Sequence, residues 1–501
     1  MRPVLAAAAA FILAFAAPAA FADDAKPDAA KAEAAKGAGD KIDLPPFPAD
    51  ASVKQVTHVA GKTLNYTATV GSIPVRDEKG KKIGEVVFTA YTLDGPKDPS
   101  RPVTFAFNGG PGAASVYLNL GAIGPKRVQF GAQGDAPSDS ALTVDNAGTW
   151  LDFTDLVFID PVGTGYSRSL VDKDETKKRF WSIKPDIEYL SRVTFDWLVK
   201  NGRMASPKYI VGESYGGFRV PRIARYLQTQ LGVGMSGVIM VSPYLEPPAN
   251  EAPDFSPMPF VITLPSMAAA NYERQGKALN PAQMAEVEEY ARTEFVTDLM
   301  KGRRDPAAVD RLVKRVTAYT GLDPAFVQRS GGRIDSFTFL RELYAKEGKI
   351  GSWYDSNVTA QDPFPWSPQR RTGDTILDAL IAPTTSAVVD FTTRIVGWKV
   401  EGRYNALSDE VGENWEKGIG LEDSVTDLRQ AVATDPKMRV MIVHGYNDLS
   451  CPYFASRLIV DQMPDPNRVK LNLYPGGHMF YSRPGSQDAF RRDVMTLFGA
   501  K

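Results

Sequence analysis

A single serine between two glycines, at a change of hydrophobic pattern, constrains this chain more than any other feature. The run Tyr209-Ile210-Val211 is β-branched and aromatic and stops at Gly212, while Phe218 to Leu227 carries helical spacing. Gly212-Glu213-Ser214-Tyr215-Gly216 is therefore a sharp strand-to-helix turn. Side chains at positions 212 and 216 would collide with the neighbouring strand and helix, which explains glycine at both. A turn of this kind lifts Ser214 above the sheet edge with a helix N-terminus beneath it.

A serine hydroxyl is a weak nucleophile and needs a base, and the base needs an orienting group. The chain has 3 histidines, which makes the search short. His58 lies ahead of the expected core strands and reads as a surface residue. His444 ends the buried run from Met438 to Val443 and reads as a structural neighbour of the site. His478 follows the strand Val469 to Leu473 in the glycine-rich loop Tyr474-Pro475-Gly476-Gly477-His478, and is the candidate base. Asp448, in Gly445-Tyr446-Asn447-Asp448 at the end of the preceding strand, is the candidate orienter. The order Ser214, Asp448, His478 is the order of α/β-hydrolases.

A second glycine loop completes the chemistry. Val103 to Phe107 reads as a buried strand and leads into Asn108-Gly109-Gly110-Pro111-Gly112. Acyl transfer builds negative charge on the carbonyl oxygen, and two fixed N–H donors must face it. Gly110 and Tyr215, the residue after the serine, are the candidates for this oxyanion hole.

Composition excludes other classes. Lys and Arg total 58 against 59 Asp and Glu, which offers no electrostatic case for nucleic acid or an anionic membrane. Three histidines so placed form no zinc site of ordinary spacing, and with no His/Cys/carboxylate cluster evident, neither metal nor other cofactor is expected. Met1-Arg2, the apolar run Leu5 to Ala20 and the small-x-small exit Ala20-Phe21-Ala22 read as a signal peptide over 1–22, cleaved near Ala22. Residues 23–50 read as a disordered leader, rich in Ala, Lys and Asp at its start. The single cysteine, Cys451, forbids an internal disulfide. An exported chain of 501 residues without disulfides points to a bacterial periplasmic or secreted protein with a core large enough to need none. No membrane anchor is expected once the signal is removed.

The rest of the chain sets the architecture. Alternating segments between Val53 and Gly95, with a turn at Asp77-Glu78-Lys79-Gly80, begin the sheet in antiparallel fashion. Strand and helix then alternate: Leu156 to Asp160, a helix over Asp186 to Val199, the elbow, and the strand Gly237 to Ser242. From 244 to 403 the chain is first Pro-rich, then helical over Pro281 to Leu299, Pro306 to Tyr319 and Phe337 to Glu347. The expected class is α/β: an α/β-hydrolase fold with a mostly parallel central sheet and an inserted helical cap. Core segments 51–243 and 404–501 enclose the cap at 244–403.

Taken together, Gly212-Glu213-Ser214-Tyr215-Gly216-Gly217, Asn108-Gly109-Gly110-Pro111-Gly112, Ile159-Asp160-Pro161-Val162-Gly163-Thr164-Gly165-Tyr166-Ser167, Asn447-Asp448-Leu449-Ser450-Cys451 and Gly476-Gly477-His478-Met479 resemble the serine carboxypeptidases. The resemblance implies release of C-terminal residues from peptides through an acyl-enzyme. It makes Ser214 the nucleophile, His478 the base and Asp448 its orienter. It also makes Asn108, Gly109 and Glu213 the binders of the substrate's terminal carboxylate. Two carboxylates in contact cannot both be charged cheaply, so Glu213 must be protonated to hold a peptide C-terminus, and acidic pH is favoured. The chain departs from the family at Ala122, where a second glutamate is common, and at Ala113-Ala114-Ser115, where Cys-Ser-Ser is usual. The rival readings are an esterase or acyltransferase on the same triad, set apart by the Asn108–Glu213 pair, which is useless for a neutral ester, and an exported binding protein that has lost catalysis. Sequence alone assigns no oligomeric state.

Overall fold

The computed structural model describes residues 44–96, 98–128, 143–247, 252–253, 255–367, 373–416 and 422–500. The expected signal peptide and most of the leader lie outside these residues. The central sheet is built from β1 (Ala51–Val59), β2 (Lys62–Arg76), β3 (Lys82–Leu93), β4 (Val103–Phe107), β5 (Asp155–Ile159), β6 (Lys208–Glu213), β7 (Gly237–Val241), β8 (Arg439–Gly445) and β9 (Val469–Tyr474). Its order is β1-β2-β3-β5-β4-β6-β7-β8-β9, with the short strand Arg168–Ser169 beside β3. The first three strands and the β3–β5 pair are antiparallel, and every pair from β5 to β9 is parallel. His58 therefore lies within the sheet, on edge strand β1, rather than ahead of it. Its side chain still faces outward, 2.6 Å from Asp145.

The parallel strands read as unbroken apolar runs because both sheet faces are covered. Along β4, Phe105 and Phe107 face one core, with Trp197 and Ile210, while Ala106 faces the other, with Phe158 and Val211. All five β4 residues are buried, and each large side chain contributes roughly 1.5–3 kcal/mol of burial. Helices α1 (Ile183–Lys200) and α2 (Tyr215–Gln230) cover the Phe105 face.

Between β7 and β8 the chain forms a mostly helical segment. It includes α3 (Met258–Arg274), α4 (Pro306–Thr320), α5 (Ser336–Tyr344) and α6 (Thr375–Asp390), with a small hairpin of Lys349–Gly351 and Thr359–Gln361. Asp305 caps α4 and Asp335 caps α5, each by accepting backbone N–H groups. The helices α3, α4 and α5 share a core with Tyr453 and Phe454 of α7 (Tyr453–Asp461), so this segment is packed onto the end of the sheet where β8 and β9 finish. Helix α8 (Pro484–Phe498) closes the fold against Trp150. Among the described residues no helix is long and apolar enough to cross a membrane.

Candidate active site

At the end of β6 the backbone turns so sharply that Ser214 takes φ +60°, ψ −124°, a conformation that non-glycine residues rarely hold without a structural reason. Ser214 N–H donates to Val241 at 2.9 Å, and the Ser214 carbonyl accepts from Gly217 at 2.8 Å and Tyr244 at 3.2 Å. The glycines are required by contact. A Cβ on Gly212 would overlap the Gly216 carbonyl, and one on Gly216 would overlap the Phe107 carbonyl. Gly109 is held as tightly: its Cβ would lie 2.5 Å from Tyr215 N and 2.9 Å from Ser214 Cβ. The two glycine loops are thus pressed together around the serine.

Two backbone N–H groups border this space. Gly110, at φ +98°, and Tyr215, first residue of α2, have N–H groups with no hydrogen-bond partner among the described residues. The first N–H groups of a helix have no intrahelical acceptor, so Tyr215 is free by construction. Both residues line the same cavity as Ser214, of about 1120 Å³, whose walls include Phe260, Trp353, Tyr354 and Trp415. This is a geometry able to hold an oxyanion.

Asp448 and His478 come from the loops after β8 and β9. His478 Nδ1 lies 2.7 Å from Asp448 Oδ2, and the other carboxylate oxygen accepts from the N–H groups of Ser450 at 2.8 Å and Cys451 at 2.9 Å. A carboxylate only accepts, so Nδ1 carries a hydrogen in either protonation state, and the lone pair of the neutral ring is on Nε2. Burial disfavours the imidazolium, but the adjacent Asp448 charge more than offsets it and raises His478 well above its usual value. The Tyr354 side chain packs edge-on against the ring at 5.0 Å, and its backbone carbonyl accepts from the His478 backbone N–H at 2.5 Å. Ser214 Oγ forms no hydrogen bond to the imidazole among the described residues, as is common before substrate tightens such a site. The sequence reading anticipated no His/Cys/carboxylate cluster. Folding brings Asp448, Cys451 and His478 together, with ligand atoms within 4.8 Å of one another, because the loops carrying them leave adjacent parallel strands.

Asn108 and Glu213 meet although they are 105 residues apart: Asn108 Nδ2 donates to Glu213 Oε2. Asn108 Oδ1 accepts from Leu118 N–H at 2.9 Å, which fixes the amide's orientation. Burial pushes the Glu213 carboxyl up, while His478, Tyr481 and Asn108 pull it back. The pair is 3 % and 1 % exposed, and neither residue is on the cavity wall that Gly110 and Ser214 form. Gly109 is likewise buried, and Gly110 is exposed.

Sequence reasoning missed the supports. Arg219 on α2 pairs with Asp186 on α1 at 2.6 Å, both nearly inaccessible. Asp160, at the end of β5, accepts from Ser115 N–H at 2.8 Å, which holds the segments after β4 and β5 together. Its position after a buried strand was a visible signal; the Arg219–Asp186 pairing had none. His444 is fully buried, with Nε2 2.8 Å from Ser456 Oγ, and burial depresses it to about 3, so it is neutral.

A family model described as serine carboxypeptidase matches residues 63–305, which includes Asn108, Gly110, Glu213 and Ser214 but ends before Asp448 and His478. Over those residues the chain is similar to the serine carboxypeptidase family. It is 30% identical over 221 residues to pheromone-processing carboxypeptidase KEX1 of Yarrowia lipolytica, covering 43% of this chain and 32% of that protein. It is 29% identical over 189 residues to serine carboxypeptidase-like 8 of Arabidopsis thaliana, covering 34% of this chain and 41% of that one. These alignments thus span well under half of either relative's length. The crystal structure of the prohormone-processing carboxypeptidase Kex1(Δ)p from Saccharomyces cerevisiae aligns with TM-score 0.55 and 16% identity, over 87% of this chain and 91% of that one. At that identity the likeness establishes a common fold.

Proposed function

We propose that this chain is a serine carboxypeptidase that removes C-terminal residues from peptides through an acyl-enzyme on Ser214, and does so in preference at acidic pH. The Asn108–Glu213 pair beside the elbow serine carries the reading, since a neutral ester leaves that pair without a task. In the first step Ser214 Oγ attacks the scissile carbonyl carbon as its proton passes to His478 Nε2. Asp448 holds the ring and stabilises the imidazolium. The N–H groups of Gly110 and Tyr215 take the charge that develops on the carbonyl oxygen. Collapse expels the C-terminal amino acid, which leaves with the proton from His478, and water repeats the sequence on the acyl-enzyme.

Protonated Glu213, with Asn108 and the Gly109 N–H, would read the free carboxylate of the departing residue. Export, with cleavage near Ala22, is part of the proposal and rests on the basic start and short apolar run alone; N-terminal sequencing of the mature protein tests it. The functional test compares an N-blocked dipeptide with its C-terminal amide and an aryl ester, with Ser214→Ala as the blank. Cleavage of the ester with no preference for the free acid would assign the triad to an esterase or acyltransferase instead.

A further inference from the structure

Tyr481 lies three residues beyond His478, is wholly buried, and places its hydroxyl 2.7 Å from Glu213 Oε1. Nothing in proton transfer from Ser214 or in the oxyanion hole uses it. The two oxygens of Glu213 therefore have unlike partners. Asn108 Nδ2 faces Oε2 and cannot be inverted, because the amide oxygen is held by Leu118 N–H. The Tyr481 hydroxyl can donate or accept. Donation to Oε1 leaves Oε2, on the Asn108 side, as the oxygen that takes up a proton and passes it into a hydrogen bond with an incoming carboxylate.

We propose that Tyr481 is the positioning residue for Glu213: it holds the carboxyl by donating to Oε1, keeps the exchangeable proton on Oε2, and sets the pH range in which a free C-terminus is read. The proposal rests on the reading of Glu213 as the carboxylate-binding acid. The groups that face Glu213 come from several elements. His478 favours its charged form, and Asp448 opposes it. Tyr117, whose hydroxyl is buried without a partner among the described residues, and Tyr354 are both influenced by its charge. Burial holds the Tyr481 hydroxyl far above the ordinary tyrosine range, so it stays neutral while Glu213 titrates. Arg127 is the cation that acts on it.

Tyr481→Phe removes a donor to charged Glu213 and keeps the ring. The quantity to measure is the ratio of kcat/KM for an N-blocked dipeptide to that for its C-terminal amide, from pH 4 to 9. Effects of the variant on the serine, the histidine or general packing fall on both substrates and cancel in this ratio. The expected result is that the midpoint at which the wild-type ratio declines moves upward by about one pH unit in the variant. A midpoint unchanged in a variant with a wild-type melting curve overturns the role of Tyr481 and leaves the reading of Glu213 standing. A flat ratio in the wild type overturns both. If Tyr481→Phe does not fold, the same ratio is taken with Tyr481→Met, which also lacks a donor; a midpoint unchanged from the wild type then overturns the proposal.

Discussion

Arg219 Nη1 donates to the backbone carbonyl of Asn108 at 2.6 Å while Arg219 Nε pairs with Asp186, so one buried guanidinium ties α1, α2 and the glycine loop into a unit. The arginine is 1 % exposed and Asp186 is fully buried. Burial raises the Asp186 carboxyl, and the Arg219 charge counters that rise. Removing one partner strands the other charge in the core. Arg219→Met is expected to destabilise the protein by roughly 3–5 kcal/mol in urea unfolding. A loss below about 1 kcal/mol would show that water reaches the site and that the pair is not a clamp.

The elbow glycines make a sharper claim. Gly216→Ala sets a methyl group against the Phe107 carbonyl, which belongs to a fully buried central strand with no room to retreat. The variant is expected either not to fold or to lose hydrolysis of even a simple ester by at least about 100-fold through displacement of Ser214. Circular dichroism and ester kinetics check it; near-wild-type turnover would contradict the packing described.

Asp160 gives stability a pH signature. Burial raises its carboxyl to about 7, against the pull of Ser115 N–H and Tyr404, from an ordinary value near 3.9 in the unfolded chain. The folded state therefore holds its proton longer than the unfolded state. From about pH 4 to pH 7 the unfolded chain gains relative to the folded one, and Asp160 costs at most roughly 4 kcal/mol above that window. Asp160→Asn is expected to remove this slope, gaining stability relative to wild type at pH 8 and little at pH 4. His444 acts in the opposite sense: its depressed value means that stability is lost as pH falls below about 6.5. Urea midpoints for both proteins at pH 4, 6 and 8 separate the contributions, and parallel curves would rule out a buried, titrating Asp160.

Glu213→Gln isolates the proton from the hydrogen bond. Glutamine is always neutral and always has donors, so it stands in for protonated glutamate at every pH. The variant is expected to lose the pH dependence of the preference for a free C-terminus while retaining some of the preference itself. A free-acid to amide ratio that still declines with rising pH would assign the titrating group elsewhere.

The elbow, the second glycine loop and the strand-terminal Asp448 and His478 loop were legible because each couples a change of periodicity to a residue type with one plausible use. Less visible were the elements whose stability comes from tertiary contact. Helix α3 carries Pro265, and α6 carries Pro383, each against the local expectation for a helix interior, and most of α3 is buried. Phe260, on α3, forms part of the cavity wall, so the missed helix bears directly on the site. Tyr481 and Arg219 were unreadable for another reason. Their partners, Glu213 and Asp186, are 268 and 33 residues away, and no local pattern announces a buried hydroxyl or a buried ion pair.

The central claim is that Glu213, with Asn108, distinguishes a free C-terminal carboxylate from a blocked one. The most direct measurement is kcat/KM for an N-blocked dipeptide and for its C-terminal amide on the wild-type protein across pH 4 to 8, with Ser214→Ala as the blank. Both substrates need neutral His478, so its protonation cancels in their ratio, and only Glu213 remains. The account predicts a ratio well above one at acidic pH that falls tenfold per pH unit once Glu213 ionises. A ratio near one at every pH, with turnover intact and abolished in Ser214→Ala, would contradict it.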